Sequence, residues 1–172
     1  MDGRPMAMNP NYNSLNSGHG NSFEVGNEFQ DFVCIELAKQ SIILQNINSK
    51  KFQFNIGENL QGFEIKFDSR CTGDNGTSAT NRLSIEIAEK TQAVNMNYVA
   101  SGIYRQDNSW LYIQGNYMNF WIFSKNILQG LHKSGRYEQH NLPTVKKFYL
   151  PIADADKYCA KKMIFNMKYP SI

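Results

Sequence analysis

An α/β (α+β) fold follows from the pattern of apolar residues: one stretch repeats at the helical period, several alternate at the strand period, and turn formers separate them. From Glu24 to Gln40 the apolar positions Val25, Phe29, Phe32, Val33, Leu37 and Ala38 recur at three- and four-residue spacing. That spacing predicts an amphipathic first helix. In residues 63–68 and 83–88 apolar and polar residues alternate, so Phe63, Ile65, Phe67, Leu83, Ile85 and Ile87 can enter a core while Glu64, Lys66, Asp68 and Glu86 face away.

The remaining elements follow in order. Phe52, Phe54 and Ile56 alternate with Gln53 and Asn55 before Gly57, predicting a first strand. Residues 62–68 make the second strand, a polar loop with two glycines intervenes, and 82–88 make the third, together an antiparallel meander. Residues 104–115, with Trp110, Leu111 and Ile113, predict a helix, and 117–123 a fourth strand with aromatics on both faces. A helix over 125–133, a strand over 147–152 and a last helix over 155–165 complete the chain. Residues 1–22 are rich in Asn, Gly and Ser without periodicity and read as a mobile tail, leaving 23–172 as a single domain.

Composition narrows the class. A chain of 172 residues with 41% hydrophobic and 13% aromatic content can bury a core. The formal charge of +3 suits a nucleic-acid partner without requiring one. Three widely spaced cysteines, Cys34, Cys71 and Cys159, offer neither a disulfide framework nor a CxxC zinc site, and point to a reducing, cytoplasmic setting. No apolar run approaches the roughly 20 residues that cross a bilayer, so no membrane partner is expected. The three histidines, His19, His132 and His140, stand in no metal-binding or catalytic context.

The chemistry concentrates on the polar face of the two alternating strands. Glu64, Asp68 and Glu86 would stand close together beside Lys66, and like carboxylates repel unless a cation lies between them. A divalent metal is one answer. A solvated sheet face finished by cross-strand ion pairs is the plainer alternative.

The order of motifs resembles the PD-(D/E)xK nuclease superfamily, whose restriction-endonuclease-like core runs helix, three-strand meander, helix, strand. The likeness extends over residues 24–130 and is closest to phage-type nucleases. It rests on Glu64-Ile65-Lys66-Phe67-Asp68, Ile85-Glu86-Ile87-Ala88, Ser101-Gly102-Ile103 and the segment Asp107-Asn108-Ser109-Trp110, where the family has a tryptophan-bearing helix. The resemblance implies a Mg²⁺- or Mn²⁺-dependent endonuclease acting on double-stranded DNA, encoded by a phage or mobile element and working in the cytoplasm of its bacterial host. It assigns Asp68 and Glu86 to the metal, with the carbonyl of Ile87 as a further ligand, and Glu28 to the helix carboxylate, with Asp31 as its rival. Glu64 would help to shape the site. The family's lysine falls at Ala88 here, so Lys66 on the neighbouring strand takes its role; Lys90 lies about 13 Å along the strand from Glu86. A second frame takes Glu64-Ile65-Lys66 as the ExK element, with Glu58 as the upstream acid.

Lys50, Lys51, Arg70, Arg82, Arg105, Lys146 and Lys147 are the candidates for phosphate contacts. Cutting two strands also favours a homodimer. The missing lysine leaves room for an inactive nucleic-acid-binding module, and the modest charge for a small interaction protein. Gly102-Ile103-Tyr104 followed by Tyr112-Ile113-Gln114-Gly115 is similar to the GIY-YIG nucleases, but Arg136 and Glu138 stand too close together for that family, and core packing explains the segment better.

Overall fold

The computed structural model describes residues 22–73 and 78–165. The tail expected over 1–22 therefore lies outside the described residues, apart from Ser22, which opens the first helix. In chain order the elements are α1 (Ser22–Ala38), α2 (Lys50–Asn55), β1 (Phe63–Phe67), β2 (Arg82–Glu89), β3 (Val99–Ala100), a 3₁₀ turn (Gly102–Tyr104), β4 (Leu111–Gly115), β5 (Asn119–Ser124), α3 (Lys125–Lys133), β6 (Gln139–Asn141), β7 (Val145–Pro151), α4 (Ile152–Tyr158) and β8 (Lys161–Ile164). The class is mixed α+β.

The strands form two four-stranded sheets, ordered β1-β4-β5-β8 and β3-β2-β7-β6. In the first, β1 runs parallel to β4 with Glu64 opposite Tyr112 and Lys66 opposite Gln114, and β4 is antiparallel to β5. Alternation then sorts the side chains. Phe63, Ile65, Ile113, Phe120 and Ile122 pack under α1, against Phe29, Val33 and Leu37. Tyr112, Trp121 and Phe123 turn the other way and join Leu83, Ile85, Phe148 and Leu150 of the second sheet, with Leu128 of α3. This explains the aromatics on both faces of β5: the strand is enclosed on each side, and each buried aromatic contributes about 1.5–3 kcal/mol.

Several sequence expectations are overturned. The segments 62–68 and 82–88 do not pair: β1 lies beside β4, whereas β2 lies beside β7 and β3, in the other sheet. The three-strand antiparallel meander is therefore absent. Residues 50–55 form a helical turn rather than a strand, since Phe52 and Phe54 find no core and stay exposed. Residues 111–115 are a strand rather than a helix; being covered on both faces, β4 shows no polar alternation. Trp110 precedes that strand and sits on no helix. The last helix stops at Tyr158, where the Ala160 N–H donates to Ile122 O and β8 pairs with β5.

A buried charge network ties β1 to α3. Lys125, the first residue of α3, has 5% of its side chain exposed, and its Nζ stands 2.6 Å from Glu64 Oε2. The same ammonium donates to Gly102 O at 3.0 Å and to the Ser109 hydroxyl, which in turn donates to Asp107 Oδ1. Both partners of this ion pair are out of water, so removing one strands the other. Lys125→Ala should cost about 3–5 kcal/mol in urea unfolding, and pairing Lys125→Met with Glu64→Gln should recover much of that. A loss under about 1 kcal/mol for Lys125→Ala would place the pair among weak surface contacts.

Candidate active site

The edge of β1 is built by the segment before it. Asn59, fully buried, accepts the Phe63 N–H at 2.9 Å and donates to Phe63 O at 2.8 Å, and Glu58 Oε2 accepts the Ile65 N–H at 3.0 Å. These side chains close the outer edge of β1. Glu64 and Lys66 consequently project from a held strand towards the inside of the molecule.

Glu64 has 1% of its side chain exposed and lies between two lysines, with Oε1 3.2 Å from Lys66 Nζ and Oε2 2.6 Å from Lys125 Nζ. Both contacts are ion pairs. With both oxygens taken by ammonium groups, Glu64 fixes Lys66 rather than holding a metal. This weakens the frame in which Glu64-Ile65-Lys66 supplies the metal-binding acid. Burial disfavours the Lys66 charge, but Glu64, Glu86 and Glu58 more than offset it and raise its pKa, so Lys66 is a cation at neutral pH. Its side chain keeps 30% exposure.

Asp68 follows the end of β1 and reaches across to the other sheet. Its Oδ2 accepts the Ser84 N–H and the Gln114 amide, both at 2.9 Å, and the same amide also donates to Ser84 O at 2.9 Å. Asp68 thus secures the free edge of β2 as well as facing the cavity. Glu86, two residues along β2 from Ser84, accepts the Ser101 hydroxyl at Oε1, 2.6 Å away. The Ser101-Gly102-Ile103 motif now has a physical reading. Gly102 has φ +52°, and a Cβ there would lie 2.2 Å from Glu86 O, so only glycine lets the turn approach β2 closely enough for Ser101 to reach Glu86. Ile103 is fully buried beneath it.

Lys66, Asp68 and Glu86 line one cavity of about 390 Å³, together with Tyr112 and Gln114 below and Arg70, Arg82 and Lys147 at its sides. Lys147 stands opposite Glu86 in the β2–β7 register. Arg82 stacks on Tyr149 at 3.7 Å and pairs with Glu138 at 3.2 Å. Tyr112 and Gln114 are buried in this lining, and burial, with Glu64 and Glu86 nearby, raises the Tyr112 pKa.

The other expected site residues disperse. Glu28 is exposed on α1, the helix covering the opposite face of the first sheet. Its rival Asp31 lines a second cavity that also contains Glu58 and Lys66. Lys50 lines that second cavity too, and Lys51 is exposed on α2. Arg105 pairs with Asp107 at 3.2 Å and donates to Gln53 O at 2.9 Å, bracing α2. Lys146 and Lys90 stand over the Tyr98 ring, at 4.5 and 4.3 Å. His132 lies between Tyr104 and Gln139, and His140 meets Glu138, consistent with structural roles. Sequence reading missed Tyr112 and Gln114 as cavity-lining groups; the register of β4 against β1 reveals them, and no local signal marks them.

Among the described residues, no group of three or more His, Cys, Asp and Glu side chains is placed to hold a metal. Mg²⁺ is nevertheless often held by only one or two carboxylates, with waters and substrate phosphate completing the shell. Asp68 is engaged at Oδ2 and Glu86 at Oε1 by the hydrogen bonds above.

Glu58 reports on the local field. Burial raises its pKa above the ordinary 4.5, Lys66 opposes the shift, and Glu64 adds to it. A carboxyl whose pKa is higher in the folded chain binds its proton more tightly there, so its contribution is present at low pH and is lost as pH rises through the folded value. Glu58→Gln should therefore gain stability relative to the parent as pH climbs from 4.5 through that raised value, and level off above it. Urea unfolding at a series of pH values measures the difference; a flat or falling one would show that Glu58 is not held in a raised state.

Compared with protein-family models, with curated proteins and with solved structures, the chain gives no match in any of the three.

Proposed function

We propose that the chain is a Mg²⁺- or Mn²⁺-dependent DNA endonuclease, a divergent protein of the PD-(D/E)xK kind. One observation carries the reading: Lys66 on β1, Asp68 just after it and Glu86 on β2 of the other sheet line the same cavity as Arg70, Arg82 and Lys147. The reading rests on that convergence and on motif order, since the strand order lacks the family's meander.

Each residue then has a task. Asp68 and Glu86 would hold the metal, which supplies charge neutralisation at the scissile phosphate and a more acidic water. Lys66, kept charged and oriented by Glu64, meets the negative charge that develops on the phosphate oxygens. Arg70, Arg82 and Lys147 give the cavity a cationic wall that draws in and registers the phosphate backbone. No helix among the described residues is long and apolar enough to cross a membrane. A pair of copies would let both strands of a duplex be cut together.

A second reading has its own support. Asp68 already secures Ser84 and Gln114, and Ala88 stands at the family's lysine position, as expected of a nucleic-acid-binding module without catalysis. Supercoiled plasmid incubated across a Mg²⁺ titration separates the two. For the nuclease, Lys66→Ala should lose about 100-fold in rate or more. Lys66→Arg should recover little, because a planar guanidinium does not replace a point charge. Asp68→Asn and Glu86→Gln should abolish cleavage while retaining DNA binding. Full activity in Lys66→Ala would remove Lys66 from the mechanism; salt-sensitive DNA binding without cleavage by the parent chain would favour the second reading.

A further inference from the structure

Lys66 sits between two cavities, and only one has been given a task. The second, about 860 Å³, opens on the far side of β1, bounded by α1 and the segment leading into α2. The two share Lys66, Phe67 and Ser69, so a chain whose phosphate lies against Lys66 has room on either side. The linings differ in chemistry. The first cavity carries Arg70, Arg82 and Lys147. The second carries carboxamides and carboxyls, among them Gln30, Asp31, Asn48 and Glu58, together with Lys50 and Lys66 and the apolar Ile47 and Phe67.

We propose that this second cavity is a nucleobase-binding pocket, which takes an unstacked base of the substrate strand while the adjoining phosphate rests at Lys66. The inference rests on the nucleic-acid reading above and extends it to base recognition. The cavity volume lies within the range of small-ligand sites, which are apolar clefts with a few placed polar groups. Carboxamides match a base edge because each offers a donor and an acceptor, and a carboxylate accepts from an exocyclic amine. Asp31 and Glu58 together therefore favour a base bearing an amino group and disfavour thymine. Phe67, packed against Phe29 at 5.0 Å and Tyr117 at 5.5 Å, adds an apolar wall that both cavities share.

The experiment uses five labelled single-stranded DNA pentamers that differ only at the central position: adenine, guanine, cytosine, thymine or an abasic site. Binding to the full chain is read by fluorescence anisotropy in Ca²⁺, without Mg²⁺. At least one amino-bearing base should bind about tenfold more tightly than the abasic pentamer, and thymine should gain least. Asp31→Asn and Gln30→Ala, checked for folding by circular dichroism, should each reduce that gain while leaving the abasic affinity unchanged. Lys66→Ala should weaken all five pentamers alike. Equal binding of all five by the parent chain would overturn the pocket and leave the phosphate site standing. A base preference that survives both variants would place recognition elsewhere. Absence of any salt-sensitive binding would overturn the pocket together with the nucleic-acid reading.

Discussion

A carboxylate taken out of water needs cations close by, and Glu64 has two, Lys66 on its own strand and Lys125 at the start of α3. Much of the interior is arranged around that need. Gly102 O and Ser109 complete the Lys125 shell, and this fixes the 102–109 segment against β1 and α3. Lys66 cannot swing out to solvent without leaving one Glu64 oxygen unpaired. The same pairing that stabilises the fold thus delivers a held cation to the cavity that Tyr112 and Gln114 also line.

The two sheets meet through polar groups as well as through their shared core. The edge of β2 away from β7, which β3 covers only at Ala88 and Glu89, would present open backbone groups, and Asp68 and Gln114 satisfy them at Ser84. Asp68 consequently serves structure and site at once. Its substitution by alanine would disturb both, and asparagine, which keeps an acceptor oxygen, is the more informative change.

Local patterns made part of this legible. The spacing of Phe29, Val33 and Leu37 marks α1, the alternation in 63–67 and 82–89 marks β1 and β2, and 125–133 is a helix as its amphipathicity indicates. Pairing was not legible, because alternation tells which residues share a face but not which strand lies alongside. The inferred hairpin failed on that point, although Glu64, Lys66, Asp68 and Glu86 do share one interior region from two sheets. β4 was misread because it is covered on both sides, so Tyr112, Ile113 and Gln114 offer no polar alternation. The Ser101-Gly102-Ile103 motif was visible, but its meaning needed the close approach of Gly102 to Glu86. Glu28 shows the limit of carrying a family role by position: α1 covers the opposite face of the sheet, and Asp31, a turn further on, lines the cavity next to Lys66.

The central claim is that Asp68 and Glu86, with Lys66 beside them, form a metal-dependent phosphodiester-cleaving centre. Crystals grown with Mn²⁺ and a short DNA duplex, with data collected at the manganese absorption edge, test it most directly. The account predicts an anomalous peak in the cavity about 2.0–2.2 Å from a carboxylate oxygen of Asp68 and of Glu86, with a phosphate oxygen in its shell and Lys66 facing that phosphate. A manganese peak elsewhere, or DNA bound in the cavity with no metal between these carboxylates, would contradict it.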